Sequence, residues 1–170
     1  MSVKAEYVGS RQARWDARYI DLARFVGAWS KDPSTKVGAV LVLPSNRVAA
    51  TGYNGFPEGM PDDPHLYEDR EYKYRHVTHA EENALDSLAN PETARGCSLY
   101  TSFPVCEDCA ALVIRAGIVR VVYPPIFIAE KIKAGWTRER AIDWMGDWAA
   151  RAEKAALVLR AAGVKVEIHV

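Results

Sequence analysis

The sequence has no excess of charge of either sign. Its 170 residues contain 22 Lys plus Arg and 22 Asp plus Glu, so the formal net charge is zero. Proteins that bind DNA or RNA usually carry a basic excess, because they must neutralise a run of backbone phosphates. The balance therefore argues against a polynucleotide partner and favours a small substrate.

Long apolar runs are also missing. A helix that crosses a bilayer needs about 20 predominantly apolar residues, and the sequence contains no such run. The chain begins Met1–Glu6 without the apolar segment of a secretory signal. We therefore expect a cytoplasmic protein with no membrane partner. Hydrophobic residues make up 49% of the chain and charged residues 26%, which is typical of one folded globular domain.

Cysteine is scarce. The chain has three cysteines, Cys97, Cys106 and Cys109, and the last two are three residues apart. An odd, small set in a reducing compartment argues against a disulfide framework. The Cys-x-x-Cys pair is then more typical of metal binding or catalysis.

Hydrophobic periodicity predicts an α/β domain. The predicted order is a helix, two strands, then strand–helix units, which favours a three-layer α/β/α domain around a central mixed sheet of about five strands. We expect a single domain over 1–170, with a core of about 11–125, a helical extension over 126–162 and a final edge strand over 164–170. Residues 53–78 have no clear period; a loop this long is either functional or contains an unrecognised element. The predicted helices are 11–30, 79–89, 107–116 and one or two pieces of 127–162, and the predicted strands are 37–43, 48–52, 97–102, 118–123 and 164–170.

Two short motifs begin predicted helices. One is His79-Ala-Glu81 and the other is Cys106-Glu-Asp-Cys109. The N-terminus of a helix is electropositive and lowers the pKa of a thiol, so Cys106 and Cys109 are well placed to bind Zn²⁺ as thiolates. His79, Cys106 and Cys109 supply three ligands, the number typical of a catalytic zinc site with a fourth place for water. A structural site needs a fourth ligand, and the sequence has no second Cys-x-x-Cys.

The two motifs together are those of the zinc-dependent nucleobase deaminases, whose conserved glutamate moves protons without binding the metal. Applied here, the motifs predict that an activated water attacks C4 of a cytosine ring. Glu81 would carry a proton from the water to the ring N3 and then help ammonia leave. Either motif alone would be weak evidence, and a redox-active Cys-x-x-Cys or a non-catalytic zinc-stabilised binding module are alternative interpretations.

More widely, the sequence resembles the deoxycytidylate (dCMP) deaminases from about Phe25 to Tyr123. The resemblance implies a cytidine-deaminase-like fold, one catalytic zinc per subunit, and hydrolysis of dCMP to dUMP and ammonia, which supplies dUMP for thymidylate synthesis. It also implies homo-oligomers, often hexamers, and regulation by dCTP and dTTP. The matching segments are Ser30–Pro33, Val37–Ala39, Gly52–Gly55 with Pro57 and Gly59, His79–Glu81 with Asn83 and Ala84, and Ala116–Ile118.

Carried over residue by residue, the resemblance makes His79, Cys106 and Cys109 the zinc ligands and Glu81 the proton shuttle. It places Asn54 at the sugar or at a neighbouring effector nucleotide, although Asn also suits a turn. The backbone N–H of Ala80 is a candidate donor to the base. Further candidates for substrate or effector binding are Lys36, Tyr53, Gly55 and Arg115, and the candidate phosphate-binding cations are Lys36, Lys73, Arg75 and Arg115, each of which could equally be a solvated surface charge.

The sequence departs from the family pattern in two places. Val105 precedes the first cysteine of the pair where the family usually has proline, which leaves a 5-substituted dCMP open as substrate. Cytidine and a tRNA adenosine are further alternatives, the latter disfavoured by the neutral charge. The 126–162 segment is longer than the family pattern. We interpret its Trp136, Trp144 and Trp148 as helix packing on the core or on a sister subunit rather than as a ligand cage.

Overall fold

A computed structural model of the chain describes residues 9–126, 131–132 and 135–170, and five strands in it form one sheet. The sheet order is β2-β1-β3-β4-β5. The elements in chain order are α1 (Arg11–Gly27), β1 (Gly38–Val42), β2 (Val48–Tyr53), α2 (Pro64–Glu68), α3 (Arg70–His76), α4 (Ala80–Asp86), a 3-10 turn (Pro91–Ala94), β3 (Ser98–Thr101), α5 (Glu107–Arg115), β4 (Arg120–Tyr123), α6 (Arg138–Ala161) and β5 (Lys165–Ile168).

The sheet is mixed, as predicted. β1 pairs antiparallel with β2 and β3, whereas β3, β4 and β5 run parallel to one another. Every residue of β1 is buried, in keeping with its continuous apolar sequence, and β1 lies between two neighbours. β5 alternates in burial and forms one edge of the sheet, which confirms the predicted edge strand.

Helices cover both faces of the sheet and confirm the three-layer prediction. On one face, α1 buries Tyr19, Ile20 and Ala23 against side chains of β1, β3 and β4. On the other face, α4, α5 and α6 pack over the alternate side chains of the same strands, with Ala84 and Val113 among the buried residues. The two predicted metal-binding motifs therefore lie in the same layer.

The segment over 53–78 contains two short helices, α2 and α3, that the hydrophobic pattern did not predict. The side chains of Asp63 and Asp69 cap them by accepting hydrogen bonds from the backbone N–H groups of His65 and Tyr72. Helices of five and seven residues are too short to show a hydrophobic period. The unrecognised elements therefore lie over 64–76, and residues 54–63 connect β2 to α2.

The region of the predicted helical extension contains one long helix. Its main helix, α6, begins after Thr137, whose side chain accepts from the N–H of Arg140, and ends before Gly163, where φ is +83°. Residues 127–130 and 133–134 of the predicted helical region lie outside the described residues. Across the described ranges, no helix combines the length and the apolar character needed to span a bilayer.

Gly52 allows β2 and α4 to approach each other closely. A Cβ atom at Gly52 would lie 2.9 Å from the Cα of Ala84 and nearer still to the carbonyl oxygen of Ala80. Asn83 of α4 adds a hydrogen bond of 2.7 Å to the carbonyl of Tyr53 at the end of β2. Together these contacts fix the first turn of α4 on the sheet.

We predict that Gly52→Ala lowers the free energy of unfolding by about 1–3 kcal/mol or more, because the new methyl group meets backbone atoms that cannot rotate away. Gly146→Ala is the matched control: Gly146 lies inside α6 with no atom within 4 Å of an added Cβ. This control should gain up to about 1 kcal/mol from helix propensity. Urea denaturation measures both, and equal stability of the two variants would contradict the close approach.

Candidate functional site

Three predicted ligands meet in one cluster. The Nδ1 atom of His79 lies 3.5 Å from the Sγ of Cys106 and 3.3 Å from the Sγ of Cys109. All three ligand atoms lie within 4.8 Å of one another. In the described residues this is the one group of three or more His, Cys, Asp or Glu side chains that is close enough to share a metal ion.

The spacing of this cluster fits zinc. Tetrahedral Zn²⁺ with Zn–N of about 2.0–2.1 Å and Zn–S of about 2.3 Å places nitrogen and sulfur ligands about 3.6 Å apart. The two nitrogen–sulfur distances are close to that value. One imidazole and two thiolates are also the soft donor set that zinc prefers over magnesium or calcium.

The ends of two helices place the ligands. His79 is the N-cap of α4, and Cys106 is the N-cap of α5. Cys109 lies in the first turn of α5, three residues after Cys106, so the two sulfurs share one side of the turn. Neither N-cap residue forms a side-chain capping hydrogen bond, and the His79 imidazole instead lies against the two thiols.

Hydrogen bonds within the cluster shift the pKa values of its three side chains. Hydrogen bonding to Cys106 raises the pKa of His79 to about 9. The hydrogen bond with Cys109 lowers the pKa of Cys106 to about 3, and the same hydrogen bond, with burial, raises the pKa of Cys109. A metal needs neutral imidazole and ionised sulfur, so its binding would release protons from these groups.

Glu81 lies beside the ligands and borders the same cavity as His79 and Cys106. Its side chain is buried, with 4% of the residue exposed. Burial raises the pKa of Glu81 to about 7, although the positive charge on His79 acts in the opposite direction. A carboxyl group that titrates near neutral pH can both accept and return a proton.

A cavity of about 360 Å³ opens next to this cluster. His79, Ala80, Glu81 and Cys106 border it at the buried end. The volume lies in the range of small-molecule sites. Other residues that border the cavity are Val37, Tyr67, Val77, Phe103, Pro104, Trp136, Trp144 and Trp148.

One wall of the cavity is a loop held by a buried ion pair. The carboxylate of Asp32, which is fully buried, lies 2.6 Å from the Nζ of Lys73 and accepts hydrogen bonds from Ser34. The amide of Asn54 donates to Asp32 and to the carbonyl of Thr35, and its oxygen accepts from the N–H of Val37. Asp32 was part of a matched motif, but no signal in the sequence linked it to Lys73, 41 residues later.

The tryptophans of the extension form another part of the cavity wall. Trp136, Trp144 and Trp148 all border the cavity, and the Phe103 ring contacts Trp144 and Trp148 at centroid distances of 5.5 and 5.0 Å. The expectation that these residues only pack the helix is therefore incomplete, because all three also border the cavity. Spacing along the chain cannot show which side of a helix meets a cavity.

The remaining predicted binding residues lie away from the cavity. Gly55 pairs with Thr78 in an isolated β-bridge, and Tyr53 is 41% exposed with its ring beside Trp29. Lys36 borders a neighbouring cavity, and Arg115 is an exposed residue at the end of α5. Two arginines that were not predicted, Arg70 and Arg140, border the cavity instead.

Comparisons with known proteins agree with this geometry. The family model described as "Cytidine and deoxycytidylate deaminase zinc-binding region" matches residues 13–124. An uncharacterized deaminase in the luxG 3' region of Aliivibrio fischeri is 34% identical over 154 residues, which cover 91% of this chain and 92% of that protein. The mouse deoxycytidylate deaminase is 38% identical over 114 residues, or 64% of this chain, and the match spans 64% of the mouse protein's own length.

A solved structure shows the same fold. The dCMP deaminase of cyanophage S-TIM5, solved in complex with dCMP and dUMP, superposes with a TM-score of 0.61 at 24% identity. The superposition covers 95% of this chain and 99% of that protein. The predicted cytidine-deaminase-like fold is therefore confirmed. The family model describes a zinc-binding region, and the His79, Cys106 and Cys109 cluster could hold a metal ion.

We predict that Cys109→Ser removes zinc from the purified protein, because an alcohol is a far weaker zinc ligand than a thiolate. Cys97→Ser is the matched control, since Cys97 is equally buried but its sulfur donates to the carbonyl of Thr93. Mass spectrometric metal analysis should find about one zinc per chain in wild type and control, and well below half that in Cys109→Ser. Full zinc occupancy in Cys109→Ser would contradict the ligand assignment.

Proposed function

Because the chain belongs to the cytidine and deoxycytidylate deaminase family, we propose that it hydrolyses dCMP to dUMP and ammonia. The observation that carries this proposal is the position of Glu81, buried at the closed end of a cavity beside a three-ligand zinc cluster. A bound zinc ion with three protein ligands supplies a water activated for nucleophilic attack.

Glu81 performs the proton transfers in this proposal. The water oxygen bonds to C4 of the cytosine, and Glu81 takes a proton from the water and delivers it to the ring N3. Glu81 next takes the remaining proton from the new hydroxyl on C4 and passes it to the amino group; the bond from C4 to that nitrogen then breaks, the C4–O bond becomes a carbonyl, and ammonia leaves. One water is consumed and the carboxylate is regenerated, so a pKa near 7 suits both directions of transfer.

The cavity supports a cytosine nucleotide as substrate. Its aromatic and aliphatic lining suits a planar base, and the first turn of α4 offers N–H groups that have no intrahelical acceptor. We propose that the N–H of Ala80 donates to the base and that Asn54 acts at the sugar through the loop that its amide holds. The mouse relative is named a deoxycytidylate deaminase, and the phage structure contains dCMP and dUMP.

Several finer parts of the expected function stay predictions. These are the supply of dUMP for thymidylate synthesis, assembly into oligomers up to hexamers, and regulation by dCTP and dTTP. Binding of effectors near Lys36, Tyr53, Gly55 or Arg115 belongs with them. A substrate panel with dCMP, 5-methyl-dCMP, deoxycytidine and cytidine, with and without dCTP, addresses substrate choice and regulation together.

We predict that Glu81→Gln lowers kcat for dCMP by about 10²- to 10⁴-fold while zinc stays bound, because the amide keeps the shape of the side chain but cannot carry the proton. The measurement is ammonia release alongside metal content. Glu82→Gln is the matched control, since Glu82 occupies the same first turn of α4 without bordering the cavity.

Wild-type rates in Glu81→Gln would remove Glu81 from the mechanism. Equal losses in Glu81→Gln and Glu82→Gln would instead show that the first turn of α4 is merely sensitive to a loss of charge. A wild-type protein that binds zinc but releases no ammonia from any member of the substrate panel would overturn the proposed activity itself.

A further inference from the structure

Two arginines border the open end of the cavity from different elements. Arg70 is the first residue of α3, and Arg140 lies in the first turn of α6, beyond the part of the chain that the family model matches. Both residues are exposed, whereas Glu81 and Cys106, which also border the cavity, are buried. The two arginines therefore lie on the solvent-exposed side of the cavity.

Neither guanidinium group has a carboxylate partner. Arg70 donates to the hydroxyl of Tyr74 at 3.2 Å, and Arg140 has its guanidinium carbon 4.0 Å from the ring centroid of Trp136. Throughout the described ranges, no Asp or Glu side chain forms an ion pair with either group. Both positive charges are thus available to an anionic ligand.

The third cation of the cavity is already neutralised. Lys73 lies 2.6 Å from the carboxylate of Asp32 and donates to Ser34, with 8% of the residue exposed. The exposed carboxylate of Glu68 also borders the cavity and lies 3.4 Å from the Nδ1 of His65. Lys73 therefore holds the wall. Of the exposed charged groups that border the cavity, Arg70 and Arg140 are positive and Glu68 is negative, so the net charge left for a ligand is positive.

Trp136 restricts the guanidinium group of Arg140 before any ligand arrives. A guanidinium stacked on an indole keeps its N–H edge free while its face is covered. Restricting a long side chain in advance reduces the entropy lost when it binds a ligand. The aromatic wall of the extension thus has a second role, because it presents a cation at the cavity.

We propose that Arg140 and Arg70 bind the phosphate of the nucleotide substrate and make the enzyme prefer a nucleotide over the corresponding nucleoside. This inference rests on the proposed function. A cytosine base at the buried end places the 5' substituent toward the open end, where the two guanidinium groups lie. Guanidinium groups bind phosphate oxygens through paired, charge-assisted hydrogen bonds, and a nucleoside offers them no such partner.

The test compares dCMP with deoxycytidine in the full chain loaded with zinc. Arg140→Gln and Arg70→Gln should each lower kcat/KM for dCMP by about 10- to 100-fold, the loss expected for a hydrogen bond to a charged group. Activity on deoxycytidine should change by less than about 2-fold, since that substrate has no phosphate to lose. Arg140→Lys should keep part of the preference for dCMP because it keeps the charge.

Two variants serve as matched controls. Arg151 belongs to the same helix as Arg140 and also stacks on a tryptophan, Trp148, at 4.6 Å, but it does not border the cavity. Arg75 belongs to the same helix as Arg70 and pairs with Glu71 on the exposed surface. Arg151→Gln and Arg75→Gln should leave the preference for dCMP unchanged.

Product binding gives a readout that does not need turnover. Calorimetric titration with dUMP and with deoxyuridine should show that Arg140→Gln and Arg70→Gln weaken dUMP binding and leave deoxyuridine binding unchanged. Equal losses for both compounds, or no loss in either variant, would overturn the inference. If Arg70→Gln weakened dUMP binding and Arg140→Gln did not, the extension would not contribute to the phosphate site, and the inference would again be overturned.

The two proposals fail in different ways. If the wild type deaminates dCMP but the arginine variants keep its full preference over deoxycytidine, the proposed function stands and the phosphate assignment is wrong. If the wild type binds dUMP through both arginines and yet deaminates no cytosine compound, the phosphate site stands and the proposed function is wrong.

Discussion

The meeting of two helix N-termini on one face of the sheet is the constraint on which the site depends. His79 at the start of α4 and Cys106 at the start of α5 come from segments 27 residues apart, and a parallel β3–α5–β4 unit next to the antiparallel β1–β2 pair brings them together. Gly52 lets α4 lie directly against β2, so the helix start cannot drift away from the ligands on α5. Once His79 is placed, Glu81 follows two residues later on the same turn, beside the cavity. The position of the proposed proton carrier thus follows from the position of the proposed ligand His79.

Local chemistry made this centre predictable from the sequence. The strands and long helices have clear periods, and each metal motif begins a helix, where the electropositive end favours thiolate ligands. The order of the elements was sufficient to predict a three-layer domain with a mixed sheet. The parts that were missed have a common physical reason. α2 and α3 are shorter than two turns of amphipathic pattern, and the Asp32–Lys73 pair joins residues 41 positions apart, so neither leaves a local signal.

The segment that follows the family-matched residues 13–124 adds an aromatic wall to the cavity. Residues over 13–124 supply the proposed zinc ligands, Glu81 and the loop held by Asn54 and Asp32, which border the cavity. Trp136, Trp144 and Trp148 then form another part of the wall with rings that pack on one another and on Phe103. A tryptophan stripe at helical spacing is compatible with core packing, subunit contact or a cavity wall. Only the direction in which α6 crosses the sheet distinguishes these roles, and that direction depends on tertiary structure.

A neutral chain and a locally cationic cavity are compatible because they concern different length scales. Binding a polynucleotide requires positive charge along many phosphates, and at physiological salt exposed charges more than about 8 Å apart barely act on one another. A single phosphate needs only one or two donors at contact distance. Asp32 neutralises Lys73 inside the wall, while Arg70 and Arg140 face the open end without acidic partners in the described part of the chain. The charge that matters for a mononucleotide is therefore set by which cations are paired, a property that the overall composition does not contain.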